Sequence, residues 1–254
     1  MGKEAEELKK LIDETDNIVF FGGAGVSTES GIPDFRSKDG LYNKPDVNFA
    51  QYQPEYLLSH SCLVREPKVY YEFHRQKMDT RNIEPNNAHR YLAKLEEMGK
   101  LKAVVTQNID GLHQKAGSKV VYEIHGSALR NYCMKCGKVY PPDYIFESKD
   151  PIPMCDCGGI VRPDITLYEE GLPDDQVMGA IDALSNADML IIGGTSLMVY
   201  PAASFVNYFH GRTLVVINQS DISIRKAENT LVIKERIGAF FTELAKLQGI
   251  ELLP

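Results

Sequence analysis

The chain has 254 residues, of which 43% are hydrophobic and 25% are charged, a balance that is typical of a folded globular protein and excludes a largely disordered one. Its net charge of −7 argues against a protein that binds nucleic acid or an acidic membrane, because both require a dense surface of lysine and arginine. The N-terminal stretch is acidic and no apolar run of about 18 residues occurs, so the sequence predicts a cytoplasmic protein without a membrane partner.

Helices and strands are predicted to alternate along the chain. A first helix ends near Asp16, and a buried strand over residues 18–21 then leads into a glycine-rich turn that is expected to open another helix. Asn86 and Asn87 are predicted to begin a further helix, which Gly99 ends. Later strands are expected at residues 103–106, 120–124, 189–192, 214–217 and 231–233. This alternation predicts an α/β fold with a Rossmann-type, doubly wound parallel sheet.

Two stretches interrupt the alternation and are predicted to be insertions. Residues 37–85 are rich in tyrosine and proline and have mixed helical patterning, which indicates a smaller helical insertion. Residues 128–162 carry four of the five cysteines and are predicted to form a zinc-ribbon insertion. The sheet domain is assigned to residues 1–36, 86–127 and 163–254.

Glycine or polar residues follow five of the predicted strands. They are Gly22, Gln107, His125, Gly194 and Asn218. Because parallel strands end at one edge of the sheet, we expect these residues to converge on one ligand crevice. The turn after the first strand suits a phosphate, since glycines let the backbone approach an anion. The Gly23-x-Gly25 spacing alone is weak evidence, because Thr28 stands where the dinucleotide fingerprint has its third glycine.

His125 is the candidate general base. It follows a predicted strand at the ligand edge, and an imidazole that titrates near neutral pH suits proton transfer there. His113 is expected to be a structural histidine with hydrogen-bonded ring nitrogens. Asp110 lies in a Gln-Asn-Ile-Asp turn, whose amides and carboxylate suit recognition of sugar or carboxamide groups.

The four grouped cysteines form a metal-site pattern. Cys133-x-x-Cys136 and Cys155-x-Cys157 are each followed by glycine, which suits two tight turns around one tetrahedral ion. Zinc is the expected ion, and buried or redox-active thiols are the alternative. Four thiolates leave no open position for water, so the zinc would be structural. Acidic and basic residues are nearly balanced in this stretch, which argues against a nucleic-acid-binding ribbon.

Four separated motifs together resemble the sirtuins, the NAD-dependent protein lysine deacylases. They are the run from Phe20 to Arg36, the run from Thr106 to His113, His125-Gly126, and Gly194-Thr195-Ser196. The resemblance extends over about residues 18–218 and indicates a single-domain member of the bacterial or archaeal type. It implies a deacetylase that consumes NAD, transfers the acetyl group of acetyl-lysine to ADP-ribose and releases nicotinamide. The implied partners are proteins or peptides that contain acetyl-lysine.

The resemblance also implies roles for individual residues. His125 would deprotonate a ribose hydroxyl, and Asn108 and Asp110 would complete the catalytic set at the nicotinamide ribose and carboxamide. Phe35 would cover the nicotinamide, and Arg36 would order the adjoining loop. The full set of implied NAD-binding residues is Gly23, Ala24, Gly25, Thr28, Phe35, Arg36, Gln107, Asn108, Ile109, Asp110, His125, Gly194, Thr195, Ser196 and Asn218.

The acyl preference is less well defined by the sequence. Thr166 and Tyr168 bring hydroxyls into the segment that resembles the acyl-lysine tunnel of the family, where an apolar wall is expected. Some members accept succinyl-lysine through a Tyr-x-x-Arg pair, which is missing between Lys68 and Arg81. We therefore expect acetyl-lysine to be preferred to succinyl-lysine, with Arg75 the candidate cation if succinyl-lysine is accepted.

Three other functions are compatible with parts of the sequence. Mono-ADP-ribosyl transfer also consumes NAD and releases nicotinamide. It does not proceed through an imidate intermediate, however, and therefore needs no base at His125. A non-catalytic sensor of NAD or ADP-ribose would likewise have no use for that base. A zinc-ribbon adaptor would leave the glycine-rich turn unexplained.

Overall fold

The computed structural model describes residues 2–35, 37–38, 40–43 and 47–253. The α-helices are α1 (Gly2–Asp13), α2 (Pro54–Leu57), α3 (His60–Arg65), α4 (Pro67–Lys77), α5 (Asn87–Glu97), α6 (Leu112–Lys115), α7 (Asp143–Phe146), α8 (Asp174–Asn186) and α9 (Ile237–Gln248). The strands are β1 (Ile18–Gly22), β2 (Leu101–Thr106), β3 (Val121–Glu123), β4 (Gly126–Cys133), β5 (Val139–Tyr140), β6 (Val161–Ile165), β7 (Met189–Gly193), β8 (Thr213–Ile217) and β9 (Asn229–Ile233). Short 3₁₀ helices occur at Ala24–Val26, Thr28–Ser30 and Ala202–Tyr208. None of the described helices has the length and apolar character that a membrane span requires.

The main sheet of the described chain has six parallel strands in the order β3-β2-β1-β7-β8-β9. This order confirms the predicted doubly wound arrangement, and it reverses direction between β1 and β7. These two strands pair in register from Ile18 opposite Met189 to Gly22 opposite Gly193. The turns that follow them therefore lie side by side at the carboxyl edge, which is where such sheets bind ligands.

Two apolar layers enclose this sheet because side chains alternate along each buried strand. Phe20 and Ile191 face a core that contains residues of α1, α5 and α9. Their neighbours Phe21 and Ile192 face the opposite core, which contains residues of α8 and of the 3₁₀ helix Ala202–Tyr208. The sheet is thus covered on both faces, and the turns that follow its strands lie at its carboxyl edge.

A smaller antiparallel sheet in the order β5-β4-β6 comes mainly from the cysteine-rich stretch. Tyr70 and Tyr71 of α4 pack into one buried cluster with Tyr140, Ile145 and Val161 of this region. The helical and cysteine-rich segments therefore share a core. Since β4 and β6 extend slightly beyond the residues assigned to the zinc-ribbon insertion, the domain boundaries given above stay a prediction.

The glycine-rich turn does not open an α-helix, so that expectation was wrong. Two consecutive 3₁₀ helices follow β1. The second ends at Ser30 and is followed by Gly31, which adopts the left-handed conformation with φ of 92°. Pro33 has no amide hydrogen to continue a helix beyond this point. Other differences are small: α1 ends at Asp13, and β2 begins at Leu101.

The helix α5 begins and ends as predicted. The Asn86 side chain accepts a hydrogen bond from the Ala88 amide at 2.8 Å and so forms the N-cap. Gly99, with φ of 74°, follows the helix in a left-handed conformation that favours glycine. Both signals are local, which is why the sequence was sufficient to find them.

Leu92→Ala is expected to lower the free energy of unfolding by about 2–5 kcal/mol. Leu92 lies fully buried on the inner face of α5, and its truncation leaves a cavity. The matched control is Met98→Ala at the exposed end of the same helix, where we expect a change of less than about 0.5 kcal/mol. Urea unfolding followed by circular dichroism measures both. Equal losses for the two variants would contradict the core described above.

Candidate functional site

The turns after β1 and β7 are in direct contact at the carboxyl edge. The Gly25 amide donates a hydrogen bond to the Gly194 carbonyl at 2.8 Å. A Cβ on Gly25 would lie 2.8 Å from Gly194 Cα, and one on Gly23 would lie 2.9 Å from Thr195 Cβ. Gly194 itself has φ of 58°. These glycines are therefore required for the two turns to approach each other. Without side chains at these positions, backbone atoms line the carboxyl edge of the sheet here, and such a surface fits the phosphates of a dinucleotide.

A buried polar network lies behind the glycine-rich turn. The Ser27 hydroxyl donates to Asp110 Oδ2 at 2.7 Å and accepts from Asn108 Nδ2 at 3.0 Å. The other carboxylate oxygen of Asp110 accepts from the Leu112 amide at 2.9 Å. Burial raises the pKa of Asp110, while these hydrogen bonds oppose that rise. The network fixes the amide of Asn108 and the carboxylate of Asp110 beside the turn.

Ser27 and His89 are members of this network that the sequence analysis missed. His89 Nδ1 accepts from the Asn86 amide at 3.3 Å, which leaves Nε2 with the hydrogen, 3.4 Å from Ser27 Oγ. Burial holds the pKa of His89 well below its usual value, so the ring is neutral. The sequence could have indicated Ser27 as a site residue, since it belongs to the glycine-rich run. His89 lies in α5, outside every motif, and nothing in the sequence marked it as a site residue.

His113 differs from its expected environment. Its ring is buried 4.8 Å from the His89 ring and packs near Phe20, and neither ring nitrogen has a hydrogen-bond partner among the described residues. The expectation of a hydrogen-bonded structural histidine was therefore wrong. Burial lowers the pKa of His113 to about 4, so this ring is also neutral.

His125 follows β3 and is held in one tautomer. Its Nδ1 lies 2.8 Å from the Gln107 carbonyl oxygen, and because a carbonyl only accepts, Nδ1 carries the hydrogen and Nε2 the lone pair. The Thr166 amide donates to the His125 carbonyl at 2.8 Å and fixes the backbone. Burial lowers the pKa of His125, and the bond to Gln107 partly opposes this. A neutral ring with a defined acceptor nitrogen can take up a proton.

The remaining strand ends continue along the same edge. Gln107 Nε2 donates to Thr195 Oγ1 at 3.0 Å, so the residues after β2 and β7 are joined across the turn after β1. Asn218 follows β8, and its amide group donates to the Ser220 carbonyl at 2.9 Å. Ser196 is exposed beside Thr195. The strand ends therefore converge along one edge, as the sequence predicted.

Other predicted NAD-binding residues lie around the glycine-rich turn. Ala24 is partly buried in the first 3₁₀ helix, and the exposed Thr28 donates from its hydroxyl to the Gly25 carbonyl at 3.0 Å. The side chains of Phe35 and Ile109 pack against one apolar cluster. Arg36 lies outside the described residues.

The four grouped cysteines bring their sulfurs together. All four Sγ atoms lie within 4.8 Å of one another. The separations are 3.5 Å between Cys133 and Cys157 and 3.6 Å between Cys136 and Cys155. Tetrahedral zinc with bonds of about 2.3 Å places its sulfurs about 3.8 Å apart, whereas a disulfide needs about 2.05 Å. The cluster thus fits one zinc ion with a complete set of four protein ligands.

Comparison with known proteins identifies the family. The model of the Sir2 family matches residues 23–201. The NAD-dependent protein deacetylases of Clostridium acetobutylicum and Clostridium perfringens are each 57% identical to this chain, and the alignments cover 91% and 94% of it and 94% and 97% of the relatives. A solved Sir2 structure with a deacetylated p53 peptide and 3'-O-acetyl ADP-ribose aligns with a TM-score of 0.87 at 36% identity, over 97% of this chain and 99% of that one. Another, Sir2 bound to an acetylated peptide, aligns with a TM-score of 0.84 at 35% identity, over 97% and 99%. With more than half of its length matched by the family model and with relatives of this identity, the chain belongs to the Sir2 family, the sirtuins.

Proposed function

We propose that this chain is an NAD-dependent protein lysine deacetylase in which His125 is the general base. The observation that carries the proposal is the fixed tautomer of His125, whose Nε2 is an acceptor at the same edge as the glycine-rich turn. Relatives at 43–57% identity have the name NAD-dependent protein deacetylase, which supports the same activity here.

NAD supplies the ADP-ribose that accepts the acetyl group and the nicotinamide that leaves. In total, acetyl-lysine, NAD and water give lysine, nicotinamide and O-acetyl-ADP-ribose. Within this scheme Gly23, Ala24, Gly25 and Thr28 hold the pyrophosphate, because the turn lies at the switch point of the sheet and its glycines let an anion approach the backbone. Gly194, Thr195, Ser196 and Asn218, further along the same edge, hold the adenosine half.

Asn108 and Asp110 contact the nicotinamide ribose and the carboxamide, with Gln107 on the ribose. The buried network through Ser27 supports this assignment. It holds the Asp110 carboxylate and the Asn108 amide in fixed orientations and so pre-organises this end of the site. Phe35 and Ile109 cover the nicotinamide end with apolar surface. Together these residues orient the ribose and restrict water.

His125 takes the proton of a ribose hydroxyl at Nε2. The carbonyl of Gln107 holds Nδ1–H and therefore keeps Nε2 directed away from the strand end. This defined acceptor favours deacetylation over mono-ADP-ribosyl transfer and over a non-catalytic sensor, neither of which needs a base at this position. The substrates are accordingly proteins or peptides that contain acetyl-lysine.

The zinc site has a structural role in this proposal. Cys133 and Cys155 are buried in the core that Tyr70 and Tyr71 of α4 also enter, so a bound zinc ion orders both insertions. Four reduced cysteines grouped around a metal suit a reducing compartment, which supports a cytoplasmic location.

Deacetylation of an acetyl-lysine peptide is expected to consume one NAD and release one nicotinamide for each lysine formed, since NAD is a co-substrate. Mass spectrometry of the peptide and of the nucleotide products, with and without NAD, measures this ratio. Release of lysine at full rate without NAD would exclude the proposed reaction.

His125→Ala is expected to lower kcat by about a hundredfold or more while NAD binding changes little, because the ring moves a proton and other residues hold the nucleotide. The matched control is His210→Ala, which removes an exposed histidine and should leave kcat unchanged. Rapid-quench kinetics and calorimetric titration with NAD separate the two effects. An active, folded His125→Ala variant would disprove the role of the base.

The pH dependence of kcat/KM should follow the neutral form of His125. Burial lowers its pKa below 6.5, and the base acts only above that pKa. We therefore expect kcat/KM to be constant well above this lowered pKa and to fall about tenfold per pH unit below it. A profile that rises through a pKa well above 7 would contradict this environment.

Elemental analysis is expected to give one zinc per chain. Cys133→Ser should lose this zinc, lower the melting temperature and lower activity, because the free energy of metal binding is also folding free energy. Cys62→Ala is the matched control, since Cys62 is buried in the same core but is not among the four grouped cysteines. This control should keep its zinc. A metal-free preparation with full stability and activity would rule out the structural site.

A further inference from the structure

The glycine-rich turn is joined to a helix from the other end of the chain. Glu29 lies in the second 3₁₀ helix of this turn, and its Oε2 accepts a hydrogen bond from the Gly238 amide of α9 at 2.7 Å, across 209 positions of the sequence. On the basis of the proposed function, we infer that Glu29 is a positioning residue. Through this bond it holds Thr28 and the rest of the turn in the conformation that binds the pyrophosphate of NAD.

The first turn of α9 needs a negative group. The first amides of a helix have no partner within the helix, and the helix dipole places partial positive charge there. Residues 237–240 include no aspartate or glutamate, and among the described residues the side chain of the N-cap, Arg236, makes no capping hydrogen bond. Glu29 therefore supplies from a distant segment the acceptor that a helix usually obtains from its own first residues.

The contact between Glu29 and α9 is close. Gly238 is buried, and a Cβ built on it would lie 2.5 Å from Glu29 Oε2 and 2.9 Å from Glu29 Cδ. The carboxylate thus lies against the helix backbone at a position that has no room for a side chain. A residue larger than glycine would displace the carboxylate and break the hydrogen bond.

The turn depends on such contacts because a 3₁₀ helix of three residues has little stability of its own. The helix α5 provides one anchor, since Asn86 Nδ2 donates to the Val26 carbonyl at 2.8 Å and to Ser30 Oγ at 3.0 Å. Glu29 provides a second anchor, to α9. The turn is therefore held from two helices that belong to the same core.

Thr28 connects Glu29 to the residues assigned to the pyrophosphate. It directly precedes Glu29, and its hydroxyl donates to the Gly25 carbonyl at 3.0 Å. Without the bond to α9 the turn would populate other conformations, and the affinity for the nucleotide would fall with the fraction that stays competent. Bound NAD would itself restore the turn, so the loss should appear in binding and not in turnover at saturating NAD.

The test measures the Kd of ADP-ribose by calorimetry, together with KM for NAD and kcat on an acetyl-lysine peptide. Glu29→Ala should raise Kd and KM about threefold to tenfold, the effect of one lost hydrogen bond at a helix N-terminus, and should change kcat less than about twofold. Glu29→Gln keeps an acceptor for the Gly238 amide, so its Kd should stay within about twofold of the wild-type value. In the free enzyme, amide hydrogen exchange over residues 23–31 should be faster for Glu29→Ala.

Gly238→Ala tests the same contact from the side of α9 and should raise the Kd of ADP-ribose to a similar extent. In the Glu29→Ala background the added methyl group meets no carboxylate, so Gly238→Ala should then add little. Such non-additivity is the sign of a direct coupling between the two residues.

Two control variants distinguish positioning from general stability. Glu243→Ala removes an exposed carboxylate further along α9, and Leu184→Ala leaves a cavity in the opposite core, away from the turn. Both should leave the Kd of ADP-ribose unchanged, although Leu184→Ala lowers the melting temperature.

The inference is overturned if folded Glu29→Ala binds ADP-ribose as tightly as the wild type, or if Leu184→Ala weakens binding by the same factor. If Glu29→Ala does not fold, Gly238→Ala and Glu29→Gln provide the same comparison. Failure of the proposed function is seen separately. A wild-type enzyme that binds ADP-ribose but does not deacetylate the peptide with NAD disproves the reaction, whereas the Kd values still decide the role of Glu29.

Discussion

The contact between the turns after β1 and β7 is the constraint on which the site depends. Gly25 and Gly194 meet through one backbone hydrogen bond, and neither turn has room for a Cβ at that point. This contact lies between β1 and β7, where the strand order of the sheet reverses. It therefore forms the bottom of the crevice at the carboxyl edge. The residues after β2, β3 and β8 are then positioned relative to that floor by the register of the parallel strands.

Hydrogen bonds connect the two turns to the polar residues of the candidate site. Ser27 extends from the glycine-rich turn to Asn108 and Asp110, while Gln107 joins Thr195 through its side chain and His125 through its carbonyl. Each link fixes the direction of a donor or an acceptor. A site of this kind needs little reorganisation when the nucleotide binds, which is the main source of electrostatic stabilisation in enzymes.

Much of this could be predicted from the sequence because its signals are local. Buried strands of β-branched residues, the cap at Asn86 and the glycine at Gly99 act over a few positions. The hydrogen bond between Gly25 and Gly194, the one between Ser27 and Asp110 across 83 residues and the one between Tyr42 and Tyr168 across 126 residues depend on contacts distant in the sequence. His113 was misjudged for the same reason, since its isolation follows from the rings packed around it.

The helix α4 packs into two different apolar clusters through two of its faces. Tyr70 and Tyr71 pack into the core shared with the cysteine cluster, whereas Phe73, two residues further on, belongs to the apolar cluster around Tyr42 and Tyr168. A metal ion held by the cysteines would thus order one side of a helix whose other side packs against the cluster that contains Phe73. Loss of the ion would therefore loosen a helix that supports two apolar clusters at once, and its effect would not stay within the cysteine-rich stretch.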